Sequence, residues 1–166
     1  MKKYLLILFI TSFNSFAFGQ KCNIEKLTYL YIKESLVSDI YFFLDFDKEK
    51  IPEAKIYFFN EIIPINYKNF EIDKCNLSSK NFLQNNLDFL NIGNSKDDCN
   101  YVLFHSVLEN NTIMFEIFFN RADFFNIQGK TLYDTWRRNN SGISYLFIFD
   151  ENSCLLNIKK KPISYD

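Results

Sequence analysis

The chain has 166 residues, 19 basic and 20 acidic side chains, and a formal net charge of −1. Loss of Lys2 and Lys3 with an N-terminal signal would make this charge −3, so no basic field exists to attract nucleic acid, which is excluded as an expected partner. Aromatic residues make up 19% of the chain, but Phe, Asn, Ile and Lys have AT-rich codons, so a low-GC genome explains much of this bias.

The first nineteen residues have the layout of a secretory signal peptide. Lys2 and Lys3 give a positive start, residues 4–13 form an apolar run, and Ala17 and Gly19 are the small residues of a cleavage site. A spanning helix needs about 20 apolar residues, and this run is shorter. The sequence therefore predicts an exported bacterial protein, periplasmic or secreted, with no transmembrane anchor after processing. The alternative is an uncleaved helix packed into the fold.

Removal of the signal would leave a single domain, residues 20–166, which contains all four cysteines. An even number of cysteines in an exported chain favours two disulfides. Three pairings exist, and the favoured one joins Cys75 to Cys99, which bracket one predicted helix, and Cys22 to Cys154. Closing a loop of about 25 residues would stabilise the fold by roughly 3.5 kcal/mol in the chain-entropy model.

The first half of the mature chain predicts helices. Apolar residues recur at helical spacing from residue 23 to about residue 40. Residues 52–63, PEAKIYFFNEII, are ambiguous, because the proline and glutamate suit a helix start whereas the aromatic run suits a strand. A further helix is predicted from Ser78 or Ser79 to about Leu90.

Two hairpins are predicted in the second half. In residues 101–121 two aromatic and β-branched runs flank a turn at residues 109–112, where asparagine tolerates the positive φ of tight hairpin turns. Residues 131–138, TLYDTWRR, predict a short helix. Residues 143–161 predict the second hairpin, around a turn at residues 150–153, with no register fixed.

Helices early in the chain and hairpins late predict an α+β domain. The N-terminal helix and a second helix are expected to pack on a curved antiparallel sheet built from the C-terminal hairpins. This arrangement resembles that of cystatin-like and NTF2-like domains. The resemblance implies an architecture and carries no function.

The first hairpin gives the most specific hypothesis about a site. If its turn holds two or four residues, His105 lies opposite Glu116, on a mixed face that also carries Tyr101 and Met114. Glu116 would then orient His105 or raise its pKa in a binding or catalytic cleft. The alternative is an ordinary cross-strand polar pair. A bulged turn would offset the two side chains and remove the pair.

Two basic stretches are further candidates. Trp136, Arg137 and Arg138 offer an indole face and two guanidinium groups that would suit a sugar, a carboxylate or an acidic partner. The alternative is an indole in the core with the arginines facing water. Residues 159–161, three lysines, would contact anionic lipid or peptidoglycan, or else protect an exposed strand edge from aggregation.

No cofactor or metal is predicted. The sequence lacks nucleophile-elbow, zinc-protease, P-loop and dinucleotide-binding motifs. Asp45, Asp47 and Glu49 have the alternation of a calcium loop, but Lys50 stands where the loop requires glycine.

Three functions are compatible with these features. The first is an exported, non-enzymatic module that binds a protein or small ligand in the cell envelope, with an inhibitor or immunity protein as one case. The second is an enzyme with His105 and Glu116 as an acid/base pair in a pocket floored by the sheet. The third is a structural component of an envelope assembly, which predicts a broad exposed apolar patch.

Overall fold

The computed structural model of the chain describes residues 24–73, 77, 98–121 and 132–163. Three sequence predictions fall outside these residues: the signal peptide, the helix from Ser78 or Ser79 to about Leu90, and the positions of Cys22 and Cys75. Each predicted disulfide includes one cysteine outside the described residues, Cys22 or Cys75, so both disulfides stay predictions.

The first helix, α1, spans Ile24–Leu44 and confirms the predicted N-terminal helix. Ile32, Leu36 and Ile40 recur every four residues and are almost completely buried, so one stripe of α1 faces the core. The helix ends where Asp45 adopts a left-handed conformation, φ 54°, which stops helical hydrogen bonding.

Five strands form one sheet in the order β1-β2-β3-β4-β5 within the described residues. They are β1 (Ile56–Ile63), β2 (Tyr101–Ser106), β3 (Thr112–Phe119), β4 (Gly142–Phe149) and β5 (Leu155–Ile163). A second helix, α2 (Leu132–Asn139), connects the two hairpins. The α+β class, both hairpins and the short helix are confirmed, and the ambiguous residues 52–63 contain a strand.

One strand pair departs from the expected antiparallel sheet. β1 and β2 run parallel, whereas the other three pairs are antiparallel. Parallel neighbours need a long crossover, and residues 64–100 supply one here. The sheet is therefore mostly antiparallel with one parallel edge pair.

The first hairpin has a two-residue turn, but its register differs from the predicted one. Both asparagines of the turn have positive φ, 51° and 54°, and the backbone groups of Glu109 and Thr112 bond each other at 2.9 and 2.8 Å. Farther along, His105 pairs with Phe115. The chain advances four positions from His105 to Glu109 but only three from Thr112 to Phe115, so the β2 side has one extra residue, a β-bulge.

The bulge shows that the predicted opposition of His105 and Glu116 is wrong. Glu116 pairs with Phe104. Because neighbouring strand residues point to opposite faces, His105 and Glu116 lie on different faces of the sheet. The Ser106 hydroxyl accepts a hydrogen bond from the Met114 backbone N–H at 2.9 Å, which satisfies a strand donor beside the bulge.

Both faces of the sheet are buried. α1 covers one face, and α2 together with residues that follow β1 covers the other. The core on the α1 side includes Ile32, Leu36, Ile40, Leu103, Phe115, Ile117, Ile143 and Phe147. The core on the α2 side includes Phe59, Phe70, Val102, Phe104, Met114, Phe118, Trp136 and Leu146. The first hairpin therefore has no open, mixed face.

The second hairpin turns as predicted, between β4 and β5. The Asp150 carboxylate accepts hydrogen bonds from the backbone N–H groups of Asn152 and Cys154 at 2.9 and 2.8 Å. Ser153 has a positive φ of 69°, which completes the reversal. β5 is consequently an edge strand of the described sheet, with Lys159, Lys160 and Lys161 in its second half.

Candidate functional site

His105 lies on the α1 side of the sheet and is half-buried. Its Nδ1 lies 3.0 Å from the Ser106 carbonyl oxygen, which fixes Nδ1–H as the donor because a carbonyl only accepts. The ring also contacts Phe115, with centroids 6.3 Å apart. Burial lowers the pKa of His105, and the hydrogen bond to Ser106 acts in the opposite direction. Neutral His105 is therefore the form that the fold favours.

Acidification is expected to destabilise the protein partly through His105. Its folded-state pKa lies below the ordinary 6.5, so the unfolded chain takes up the proton more readily. The contribution of His105 to stability is full above pH 6.5 and is lost as the pH falls through the folded-state pKa. Urea unfolding near pH 7.5 and near pH 5.5 should show a larger loss for wild type than for His105→Gln.

The titration of Glu116 also changes stability with pH, but it does not affect that comparison. Its pKa is raised, so its contribution favours the fold below 4.5 and declines as the pH rises, opposite in sense to that of His105. Glu116 is present in both proteins and its effect cancels in the difference. Equal losses in wild type and His105→Gln would contradict the burial of a neutral imidazole.

Glu116 is the centre of a buried polar cluster between the sheet and α2. Its side chain is 1% exposed. One carboxylate oxygen accepts a hydrogen bond from the Tyr133 hydroxyl at 2.7 Å, and the other accepts one from the Ser144 hydroxyl at 3.3 Å. Burial raises the pKa of Glu116, and Tyr133, Arg137 and Ser144 all act in the opposite direction.

This cluster connects α2 to the sheet, and its carboxylate is buried. The Tyr133 backbone N–H, in the first turn of α2, donates to the Glu61 carboxylate at 3.2 Å. A carboxylate at that position satisfies a helix donor that has no intrahelical acceptor. The Arg137 guanidinium lies 5.8 Å from the Tyr133 ring centroid. Both oxygens of the Glu116 carboxylate accept hydrogen bonds, and the side chain is buried between the sheet and α2. These contacts indicate a structural role for Glu116.

The three residues Trp136, Arg137 and Arg138 lie at different depths. Trp136 is 0% exposed, and its indole N–H donates to the Phe119 carbonyl at 3.3 Å. Arg137 is half-buried and Arg138 is exposed. The structure therefore does not bring the indole and the two guanidinium groups together on one surface.

The other two binding candidates are also in the interior. Met114 is completely buried on the α2 side. Tyr101 is buried on the α1 side, and its hydroxyl donates to the Pro52 carbonyl at 3.0 Å. Neither side chain is accessible to a partner in this arrangement.

The two described cysteines lie in different parts of the fold. Cys99 is buried just before β2, and its carbonyl accepts a hydrogen bond from the Asn120 side chain at 2.9 Å. Cys154 is half-buried at the end of the second hairpin turn.

A mostly buried ion pair, which the sequence did not predict, connects α1 to β5. The Lys160 ammonium lies 2.9 and 2.8 Å from the two carboxylate oxygens of Asp39, and the Tyr145 hydroxyl donates to the same carboxylate at 2.9 Å. The ammonium also lies 4.8 Å from the Tyr31 ring centroid. This pair fixes the C-terminal half of α1 against the edge of the sheet.

The end of α1 and the connection that follows it carry three exposed aromatic side chains. Tyr41, Phe42 and Phe46, which we call the aromatic surface, are 55%, 77% and 40% exposed. Tyr41 and Phe42 follow Ile40 directly and therefore point away from the buried stripe. The other large exposed apolar side chains among the described residues are Leu30, Ile62, Val107 and Leu156.

The aromatic surface rests on partly buried rings. Phe42 meets Phe43 edge-on with centroids 5.0 Å apart, and Phe43 packs on the α1-side core. Phe46 contacts Phe119 with centroids 4.9 Å apart, and Phe119 in turn contacts Tyr101 at 5.4 Å. Exposed rings with such support lose little freedom when a partner covers them.

The segment that follows the aromatic surface is acidic. Residues 45–53 contain four carboxylates and two lysines, which leaves a net charge of −2. Asp47 caps a short 3₁₀ turn, Lys48–Lys50, and pairs with Lys50 at 3.3 Å. Asp45 and Glu49 are exposed as well. The former calcium candidate is thus a capped, solvent-facing connection beside exposed aromatic rings.

Comparisons with protein-family models, with curated proteins and with solved structures found no match to this chain. No helix within residues 24–73, 98–121 or 132–163 has the length and hydropathy to cross a bilayer. Across the same residues no group of three or more His, Cys, Asp or Glu could hold a metal ion.

Proposed function

We propose that this protein is an exported, non-enzymatic binding module of the inhibitor or immunity type, and that its partner is another protein. The single observation that carries the proposal is the aromatic surface. Large aromatic side chains are the residues that most often dominate the binding energy of protein interfaces. Three of them are exposed within six residues at the end of a helix that is itself fixed to the sheet.

The shape of the aromatic surface favours a protein over a small ligand. Small molecules bind in concave sites that enclose most of their surface. Phe42 instead projects, with 77% of its side chain exposed, and would insert into a pocket of the partner. The acidic segment at residues 45–53 favours a partner with a basic border, because complementary charge accelerates association and selects against wrong partners.

The other two hypotheses have less support. The enzyme hypothesis required His105 and Glu116 on one face, and they lie on opposite faces. A structural role in an envelope assembly would also use exposed apolar surface, and the test below distinguishes it. We also propose that the architecture is similar to that of cystatin-like or NTF2-like domains, as an analogy that carries no function. The long helix on one face supports it, whereas the parallel β1–β2 pair and the α2 covering depart from it.

Export is part of the proposal and gives a separate prediction. Cleavage after Gly19 would leave four residues before α1 begins at Ile24, so the predicted cut lies outside the described helices and strands. Mass spectrometry of the protein purified from source cells should show a mature N-terminus at Gln20. Recovery of the intact chain beginning at Met1 from the cytosolic fraction would contradict export.

A matched pair of variants tests the aromatic surface. Phe42→Ser removes the most exposed ring, and Leu156→Ser removes an apolar side chain that is 65% exposed on β5. Both should leave stability within about 0.5 kcal/mol, since neither side chain is in the core. Loss of a central aromatic anchor should weaken partner binding by about 2 kcal/mol, or about 30-fold in Kd, for Phe42→Ser alone.

The measurement has two stages. Tagged wild type, Phe42→Ser and Leu156→Ser are used for pull-down from envelope extract, and the protein retained by wild type and Leu156→Ser is purified and titrated by calorimetry. Affinity should fall with rising salt, as expected for a basic partner. Equal affinity of all three proteins would refute the assigned surface, and recovery of a stable assembly of many chains would favour the structural hypothesis.

A further inference from the structure

A cleft lies between the edge strand β5 and the 3₁₀ turn Tyr67–Phe70, away from the aromatic surface. Its volume is about 310 Å³. We call it the lysine cleft, and it is lined by Asn69, Phe70, Glu71, Lys159, Lys160 and Lys161. The sequence left two interpretations of these lysines open, contact with an anionic surface and protection of a strand edge. The geometry of the cleft distinguishes them.

Two of the lysines converge on the 3₁₀ turn. The Lys159 ammonium donates to the Phe70 carbonyl at 3.1 Å, and the Lys161 ammonium donates to the Asn69 carbonyl at 2.7 Å. Residues two apart in a strand point to the same side, so the two ammonium groups are neighbours. Lys160 points to the other side, where it pairs with Asp39. A lysine that only guards an edge would extend into water.

The ammonium groups of Lys159 and Lys161 retain capacity to bind. An ammonium has three N–H donors, and each of these two spends one on a neutral carbonyl. Neither ammonium forms a salt bridge with a carboxylate among the described residues. The carbonyl contacts restrict the two long side chains in advance, which lowers the entropic cost of holding a ligand.

From this arrangement we propose that the lysine cleft binds a phosphate group through Lys159 and Lys161. Two adjacent cations match a phosphate monoester, which has a charge of about −1.5 to −2 near pH 7. Lysine binds phosphate as a point charge, without the planar fork that carboxylates select in arginine. Glu71 also lines the cleft and opposes an anion, so its neutralisation should strengthen binding. This site is independent of the aromatic surface.

The phosphate has two sources, a free phosphate ester or a lipid headgroup, and two probes separate them. Inorganic phosphate and glycerol phosphate are titrated into the ¹⁵N-labelled full chain by NMR. Vesicles of phosphatidylcholine, with and without phosphatidic acid, are tested by co-sedimentation. Binding of the soluble phosphates assigns the free ester, and sedimentation only with phosphatidic acid assigns the headgroup. Absence of binding in both assays would overturn the proposal.

Variants connect any binding to the cleft. Lys159→Gln with Lys161→Gln should weaken phosphate binding at least about tenfold, and Glu71→Gln should strengthen it. Lys48→Gln, which removes an exposed lysine elsewhere, should change affinity less than about twofold. Lys161→Gln alone affects an exposed side chain and keeps the test valid if the double variant unfolds. Equal weakening by Lys48→Gln, or none by the cleft variants, would refute the assignment.

Discussion

Replacing Asp39 with alanine is expected to lower the free energy of unfolding by about 3 kcal/mol, because it leaves the mostly buried Lys160 ammonium without its counter-ion. Asp39 accepts two hydrogen bonds from Lys160 and one from the Tyr145 hydroxyl. Asp39 and Tyr145 are buried, and the Lys160 side chain is 19% exposed. The substitution removes both carboxylate oxygens, and with them all three hydrogen bonds. Typical domains have a total stability of about 5–15 kcal/mol, so a large fraction would be lost.

Two further variants separate the lost charge from the lost packing. Asp39→Asn retains an acceptor for Tyr145 and should be less damaging than Asp39→Ala. Asp39→Ala combined with Lys160→Met should recover much of the stability, since no uncompensated charge is then buried. Urea unfolding followed by circular dichroism measures all of them. A loss below about 1 kcal/mol for Asp39→Ala would show that the pair is solvated and screened.

The elements of the fold that depend on local patterns were predictable from the sequence. The stripe from Ile32 to Ile40 specifies α1, and the paired asparagines at 110 and 111 specify the first turn. The second hairpin and α2 follow from runs and turn residues of the same kind. In each case the determining residues lie within about a dozen positions of one another, where periodicity is informative.

The register of the first hairpin was not predictable from the same information. A bulge of one residue between His105 and Glu109 shifts the pairing of β2 with β3 by one position. The shift changes which side chains of β3 share a face with each side chain of β2. The hydrogen bond from the Met114 backbone N–H to the Ser106 hydroxyl stabilises that bulge. No pattern in the sequence predicts this hydrogen bond. The parallel pairing of β1 was hidden for a related reason, because it depends on contacts distant along the chain.

The candidate site was only partly predictable. The 55% exposure of Tyr41 was not predictable from helical spacing, because the width of the buried stripe depends on where the sheet lies. Trp136 was offered either as a ligand contact or as a core residue, and spacing alone does not choose between them. The convergence of Lys159 and Lys161 on one 3₁₀ turn joins parts of the chain about ninety residues apart.

Substitution of Trp136 by alanine is expected to lower the free energy of unfolding by about 3–5 kcal/mol, chiefly through loss of packing. The indole is fully buried against the stacked rings of Phe59 and Phe104, with ring centroids 5.4 and 6.1 Å away. Its N–H donates to the Phe119 carbonyl, but that carbonyl also accepts a hydrogen bond from Asn140 at 2.7 Å. The carbonyl therefore stays satisfied in the variant, and the cavity accounts for most of the cost.

A graded series makes this prediction specific. Trp136→Phe keeps much of the ring volume and should be clearly milder than Trp136→Ala, whereas Arg138→Ala, at an exposed position, should stay within about 0.5 kcal/mol of wild type. Trp136 is on the α2 side of the sheet, opposite the helix that carries Phe42, so partner affinity measured below the unfolding temperature should not change. If Trp136→Ala abolished binding of a ligand while leaving stability intact, the indole would be a contact residue, as one reading of the sequence proposed, and its place in the core would be refuted.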